Sequence, residues 1–150
     1  MRTLIFGYGS LINDESRARN APQAKIVSRH AILRGYQRKT NFPHHGRAYM
    51  NIIPSDSHAV VGTIFSVTPE GFESLKEREA GYEVVDMRAK LDGDFDEPVY
   101  AFIAPDIDPK KMQVPRSYLE TCTAYMNAEE KSQWIADTII PCGIYEDVEE

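Results

Sequence analysis

Over the first two thirds of the chain, apolar and polar positions alternate in short strand-like runs. In the last third they change to helical spacing. Residues 3–6 form an apolar run ending at Gly7-Tyr8-Gly9-Ser10, the pattern of a buried strand entering a glycine turn. Asn13 and Asp14 can cap a polar helical turn reaching Arg19, and Pro22 stops it. Residues 25–40 read as a strand, with a bend or bulge where Gly35 interrupts the pattern. A turn or loop over 41–46 follows, since Pro43 fixes one backbone angle and Gly46 frees another. Residues 49–54 and 58–67 alternate as two strands, for which Ser55-Asp56-Ser57 is the expected hairpin turn. Pro69 and Gly81 bracket a helix over 69–80. Residues 82–91 and 98–104 make a further strand pair around Asp92-Gly93-Asp94, and helices over 115–127 and 129–138 end the chain. The expected class is α+β, with a mainly antiparallel sheet or barrel, as one domain over 1–150 without internal repeats or long linkers.

Composition narrows the function classes. With 42% hydrophobic and 27% charged residues, the chain has ordinary globular usage. No run approaches the ~18 apolar residues of a membrane span, and Leu4-Ile5-Phe6 is too short for a signal-peptide core. A cytoplasmic protein without a membrane partner is expected. Cys122 and Cys142 make neither a disulfide framework nor a CxxC unit, and read as a buried helical thiol and a thiol near the tail. The net charge of −6 hides a split: residues 1–50 carry nine Lys and Arg against two acids, and the remainder eight against twenty-one. A basic third invites a nucleic-acid reading. These cations are spread through strand-like sequence with no contiguous arm, so no nucleic-acid partner is expected.

Two places carry candidate chemistry. The strand followed by Gly7-Tyr8-Gly9 resembles a dinucleotide turn, but Ile12 replaces the third glycine, and Ser28 and Arg29 stand where an acid belongs. What remains is a glycine-flanked turn, either structural or able to aim several N–H groups at one small anion. The second place is Glu79. At about 100° per residue from Phe72, Leu75 falls near 300° and Glu79 near 340°, on the apolar side of its helix. Burial and the helix C-terminus both raise the pKa of such a carboxylate, as a general base near neutrality requires. The alternative is a helix-end Glu that swings into solvent or pairs with Arg78 or Arg88. His44-His45 lacks a third ligand at recognisable spacing, so no metal site is expected, and His30 and His58 read as ordinary strand residues. Tyr8, Tyr82 and Tyr118 are candidates to line a pocket with their hydroxyls hydrogen-bonded. Nothing near Cys122 supports an activated nucleophile.

Together, residues 6–12 (Phe-Gly-Tyr-Gly-Ser-Leu-Ile) and 75–82 (Leu-Lys-Glu-Arg-Glu-Ala-Gly-Tyr) resemble the γ-glutamylcyclotransferase-like superfamily. Leu33-Arg34-Gly35-Tyr36 and Val61-Gly62-Thr63-Ile64-Phe65 are similar to its strand signatures, and the resemblance spans roughly residues 1–125. It implies a small mixed barrel with flanking helices, no cofactor, and cyclisation of a γ-glutamyl group to 5-oxoproline with release of an amine or amino acid. By position it implies that Tyr8, Gly9, Ser10 and Leu11 form the substrate-binding loop, that Glu79 is the catalytic acid/base, and that Tyr82 and Tyr118 are pocket residues. The chain departs from the family at Leu11, where relatives acting on γ-glutamyl amino acids often have Asn. It departs also at Asn13, where the glutathione-degrading branch usually has Trp, and at Pro115, where the family has Ser three residues before the helical Tyr. A non-catalytic binding protein for a small carboxylated metabolite is the alternative reading. The charge split then reads as complementary contributions to one pocket for a zwitterion, with Arg34, Arg38 and Arg47 as the cations that can face it.

Overall fold

Two long strands, β2 (Lys25–His44) and β3 (Arg47–Val67), form an antiparallel hairpin in the computed structural model, which describes residues 1–147. The hairpin closes at His45-Gly46, where both residues have positive φ (49° and 76°), the type I′ geometry that matches strand twist. The expected hairpin at Ser55-Asp56-Ser57 does not exist. Those residues belong to β3 and bulge opposite Gly35, between the pairs Arg34↔Ala59 and Tyr36↔Pro54. Gly35 has φ 83°, which a side-chain-bearing residue resists, so the irregularity seen in the pattern is a bulge shared by two continuous strands. Alternation shows where a strand runs and does not identify its partner.

The other strands are β1 (Thr3–Gly7), β4 (Glu83–Asp86) and β5 (Val99–Ile103). They complete a sheet of order β2-β3-β1-β5-β4, antiparallel except for β1 against β5. Ile5 and Phe65 face one apolar cluster, with Leu75 and Phe102. Phe6 and Ile64 face the other, with Leu33, Ile52, Leu119 and Trp134. Both faces of the central strands are therefore covered, which is why they read as continuous apolar runs.

The expected barrel is not formed. Edge strand β2 meets only the segment beyond β4, through the isolated bridge Leu33↔Leu91 beside an Arg34–Asp92 ion pair of 2.6 Å, and the sheet stays open. Strand β4 is four residues long, and the 3₁₀ turn Arg88–Lys90 carries the chain off the sheet before a ladder can form. The expected strand over 82–91 is shortened for the same reason.

Four helices occur among the described residues: α1 (Asp14–Asn20), α2 (Pro69–Arg78), α3 (Arg116–Thr123) and α4 (Ala128–Ala136). Asn13 caps α1, Thr68 caps α2 with Pro69 in the first turn, and Asn127 with Glu130 forms a capping box on α4. None is long and apolar enough to cross a membrane. A small parallel pair joins β6 (Val114–Pro115) to β7 (Ile144–Tyr145). The segment after α4 docks on β2, where Thr40 N–H donates to Ile139 O and Ile139 N–H to Arg38 O, both at 2.9 Å.

Two buried positions hold β3 in place. A Cβ on Gly62 would lie 2.4 Å from Gly7 O and 2.7 Å from the Phe6 ring, so only glycine lets β1 lie this close. The side chain of Asn51 accepts from Ala104 N–H and donates to Ala104 O, both at 2.9 Å, tying β3 to the end of β5 where no ladder joins them. Gly62→Ala is expected to cost about 3 kcal/mol or more through overpacking, and Asn51→Ala about 3 kcal/mol through orphaned backbone groups. Denaturant unfolding checks both, and a loss below about 1 kcal/mol would contradict either account.

Candidate functional site

Beyond Gly7 the chain leaves β3 and makes a 3₁₀ turn, Ser10–Ile12, before α1. Its geometry is set from behind. Buried Arg17 donates through Nη1 to Leu11 O at 3.1 Å and Ile12 O at 3.3 Å, while its Nη2 pairs with Asp14. Asn13 Nδ2 donates to Thr121 O at 3.0 Å, fastening the turn to α3. With its carbonyls held on that side, the N–H groups of Gly9, Ser10 and Leu11 have no acceptor among the described residues, and all three residues border a cavity of about 610 Å³. The Leu11 side chain packs in the core with Phe65 and Leu75, so this residue offers the cavity its backbone. A Cβ on Gly9 would stand 3.0 Å from Tyr118 Oη and 3.2 Å from Met50 Cβ, which makes this a close approach that favours glycine.

The seven residues expected at a site, Tyr8, Gly9, Ser10, Leu11, Glu79, Tyr82 and Tyr118, all line this cavity. Glu79 caps the C-terminus of α2 and is 17% exposed. Arg78 Nη1 donates to its Oε1 at 2.6 Å, whereas Arg88 pairs with Asp86. Burial raises the Glu79 pKa above its ordinary 4.5, and the charge and hydrogen bond of Arg78 oppose the rise without cancelling it. Glu79 thus combines the two roles set against each other in the sequence, lying on the apolar side and paired with Arg78.

The tyrosines close the cavity by satisfying backbone. β3 outruns β1, and on the edge away from β2 its Ala48 N–H donates to Gln113 O at 3.1 Å. Two residues on, Met50 N–H donates to Tyr118 Oη at 3.4 Å, and Met50 O accepts from Tyr82 Oη at 2.8 Å. Tyr8 Oη donates to Phe102 O. Burial, reinforced by neighbouring groups, raises the pKa of all three phenols, so they stay neutral hydroxyls and are not bases. Tyr82 stacks on Phe42 with ring centroids 4.0 Å apart, and Tyr118 meets Tyr49 edge-on at 4.9 Å. Phe42, Tyr49, Met50 and Arg19 carried no signal in the sequence, because strand pairing and loop packing bring them to the cavity from distant positions.

The cations differ from expectation. Arg34 pairs with Asp92, Arg47 lies 3.8 Å from the Tyr145 ring centre, and Arg38 is buried elsewhere; none of the three lines this cavity. Arg19 from α1 and Arg78 from α2 do. His44 borders it too, yet no three His, Cys, Asp or Glu side chains cluster as a metal site requires among the described residues. Cys122 is buried, and burial pushes its thiol up to about 12, far from a reactive thiolate.

No curated protein shows a significant sequence match. Among solved structures, a gamma-glutamyl cyclotransferase superimposes with TM-score 0.75 at 15% identity, over 100% of this chain and 95% of its own. The uncharacterized protein loc79017 from Homo sapiens gives 0.74 at 15% identity, over 99% of this chain and 94% of its own. An AIG2-like protein from Mus musculus gives 0.53 at 14% identity, over 73% and 81%. These likenesses show a shared α+β fold. The sequence profile described as "Gamma-glutamyl cyclotransferase, AIG2-like" matches residues 5–135, and with most of the length covered, the chain belongs to the gamma-glutamyl cyclotransferase, AIG2-like family.

Proposed function

We propose that the protein cyclises a γ-glutamyl group to 5-oxoproline and releases an amine or amino acid, with Glu79 as acid/base. One observation carries this reading: a largely buried carboxylate of raised pKa shares a cavity with the amides of Gly9, Ser10 and Leu11, which have no acceptor among the described residues. Those amides would bind the anionic oxygen of the substrate, and Tyr8, Tyr82 and Tyr118 would shape the walls. A substrate held folded there presents its α-amine to its own γ-carbonyl, which supplies the proximity a bimolecular reaction lacks. Glu79 takes the proton from the attacking nitrogen as the new C–N bond forms. It then returns a proton to the leaving nitrogen as the old C–N bond breaks, so the carboxyl group ends as it began. The charge split retains a role in this reading, with the cations supplied by the helices α1 and α2 in place of the strands.

Incubation with γ-glutamyl amino acids, γ-glutamyl amines and glutathione, followed by mass spectrometry for 5-oxoproline, tests the reaction. Thermal stabilisation by these compounds without product would overturn it in favour of a binding protein. Glu79→Gln keeps the shape and removes the titratable group, so kcat is expected to fall about 10²–10⁴-fold with KM near that of wild type. Full turnover in that variant would sink the assignment. Because burial raises the Glu79 pKa and Arg78 restrains it, the acid limb of kcat/KM is expected above pH 4.5, and Arg78→Met should move it further up. A limb unmoved by Arg78→Met would show that a different group titrates. The same shift has a stability sign. The favourable contribution of Glu79 is full below pH 4.5 and lost as pH rises through its folded pKa, so Glu79→Gln should melt higher than wild type near pH 8 and lose that advantage near pH 4.

A further inference from the structure

A second cavity, of about 480 Å³, shares no lining residue with the first. Its wall includes Arg38 and Trp134. Arg38 is 4% exposed, and its Cζ lies 4.3 Å from the Trp134 ring centre. Nε donates to Thr138 Oγ1 and Nη1 to Val61 O, both at 3.2 Å. Both acceptors are neutral, and among the described residues Arg38 forms no ion pair; Asp137 acts on it only from further away. A buried guanidinium normally has a carboxylate partner, because its desolvation is otherwise uncompensated. Among the described residues Nη2 has no acceptor. The only fully enclosed side-chain nitrogen lacking one among the described residues is Trp134 Nε1, so Nη2 opens to the cavity it borders.

The remaining lining defines what would complete this charge. Val61 and Tyr125, 45% and 57% exposed, contribute apolar surface to the wall, with Met126 beside them. The exposed acids Glu129, Glu130 and Asp137 line it together with His30 and with Arg29, which is paired to Asp14, and the three carboxylates disfavour a multiply charged anion such as phosphate. We propose that this cavity is a second binding site, for a small organic monocarboxylate that pairs with Arg38 and rests its apolar body on Trp134, Val61 and Met126. The site is independent of the proposed chemistry at Glu79, and binding here can be read whether or not the first cavity turns a substrate over.

Trp134 is the only tryptophan in the chain, so intrinsic fluorescence of the whole protein reports on this wall. Titration with 3-phenylpropanoate is expected to give a saturable change with Kd below about 1 mM. Phenethylamine and inorganic phosphate should give none. Arg38→Lys, which keeps the charge but loses the planar fork, should weaken binding about tenfold or more. Val61→Glu, at an exposed strand position, would place a carboxylate in the cavity and should abolish the response while the protein still melts cooperatively, which keeps the test decisive if the Arg38 variant fails to fold. The proposal is overturned by a wild-type protein that gives no saturable response to 3-phenylpropanoate, by an equal response to phenethylamine or phosphate, or by an undiminished response in Val61→Glu.

Discussion

The structure depends on one mismatch of length. β3 is paired with β2 over most of its course, but β1 reaches only from Val67 back to Thr63. On the edge away from β2, the backbone around Ala48 and Met50 therefore needs partners that β1 does not supply. Gln113 satisfies Ala48, and two tyrosine hydroxyls satisfy Met50. The first cavity lies at this step in the sheet. Its opening loop is the chain leaving β1, and its walls are the side chains that take the place of an absent strand.

That arrangement accounts for how the cavity is kept polar at chosen points and apolar elsewhere. The phenol groups are fixed by backbone carbonyls or amides and are held neutral by burial, so they contribute shape and hydrogen bonds. The turn after Gly9 has its Leu11 and Ile12 carbonyls held by Arg17, and the amides of Gly9, Ser10 and Leu11, which border the cavity, are without an acceptor among the described residues. Glu79 stands at the end of a helix, in a half-buried place that disfavours its charge, with Arg78 as its counterion. Such a carboxylate is a local conflict with stability, the kind of conflict that marks functional positions.

Much of this was legible in particular residues. Asn13 announces α1 through capping chemistry, and Pro69 and Gly81 bracket α2, whereas the caps at Thr68 and Asn127 emerge only in the structure. The angular position of Glu79 placed it on the apolar side of α2 before any coordinates. Partners were not legible. Ser55-Asp56-Ser57 has the composition of a turn, but the strand opposite supplies Gly35, so the chain bulges and continues. The barrel failed for a similar reason: closure needs an edge ladder between β2 and β4, and the local turn at Arg88–Lys90 removes it. Arg38 looked like a strand cation available to the first cavity, whereas its side chain lies against Trp134, a residue 96 positions away.

Short-range chemistry carries the cap of α1, the glycine turn and the face of α2 on which Glu79 lies, because capping, backbone freedom and helical periodicity act over a few residues. The sequence also carried the resemblance at residues 6–12 and 75–82, both inside the stretch 5–135 that the family profile matches. Tertiary structure alone decided that the sheet stays open, that Arg19 and Arg78 stand at the first cavity in place of Arg34, Arg38 and Arg47, and that Met50 is the anchor of two tyrosines. Those outcomes depend on which unpaired backbone edge and which buried charge find a partner across the fold, and such pairings join residues whose separation along the chain leaves no local trace.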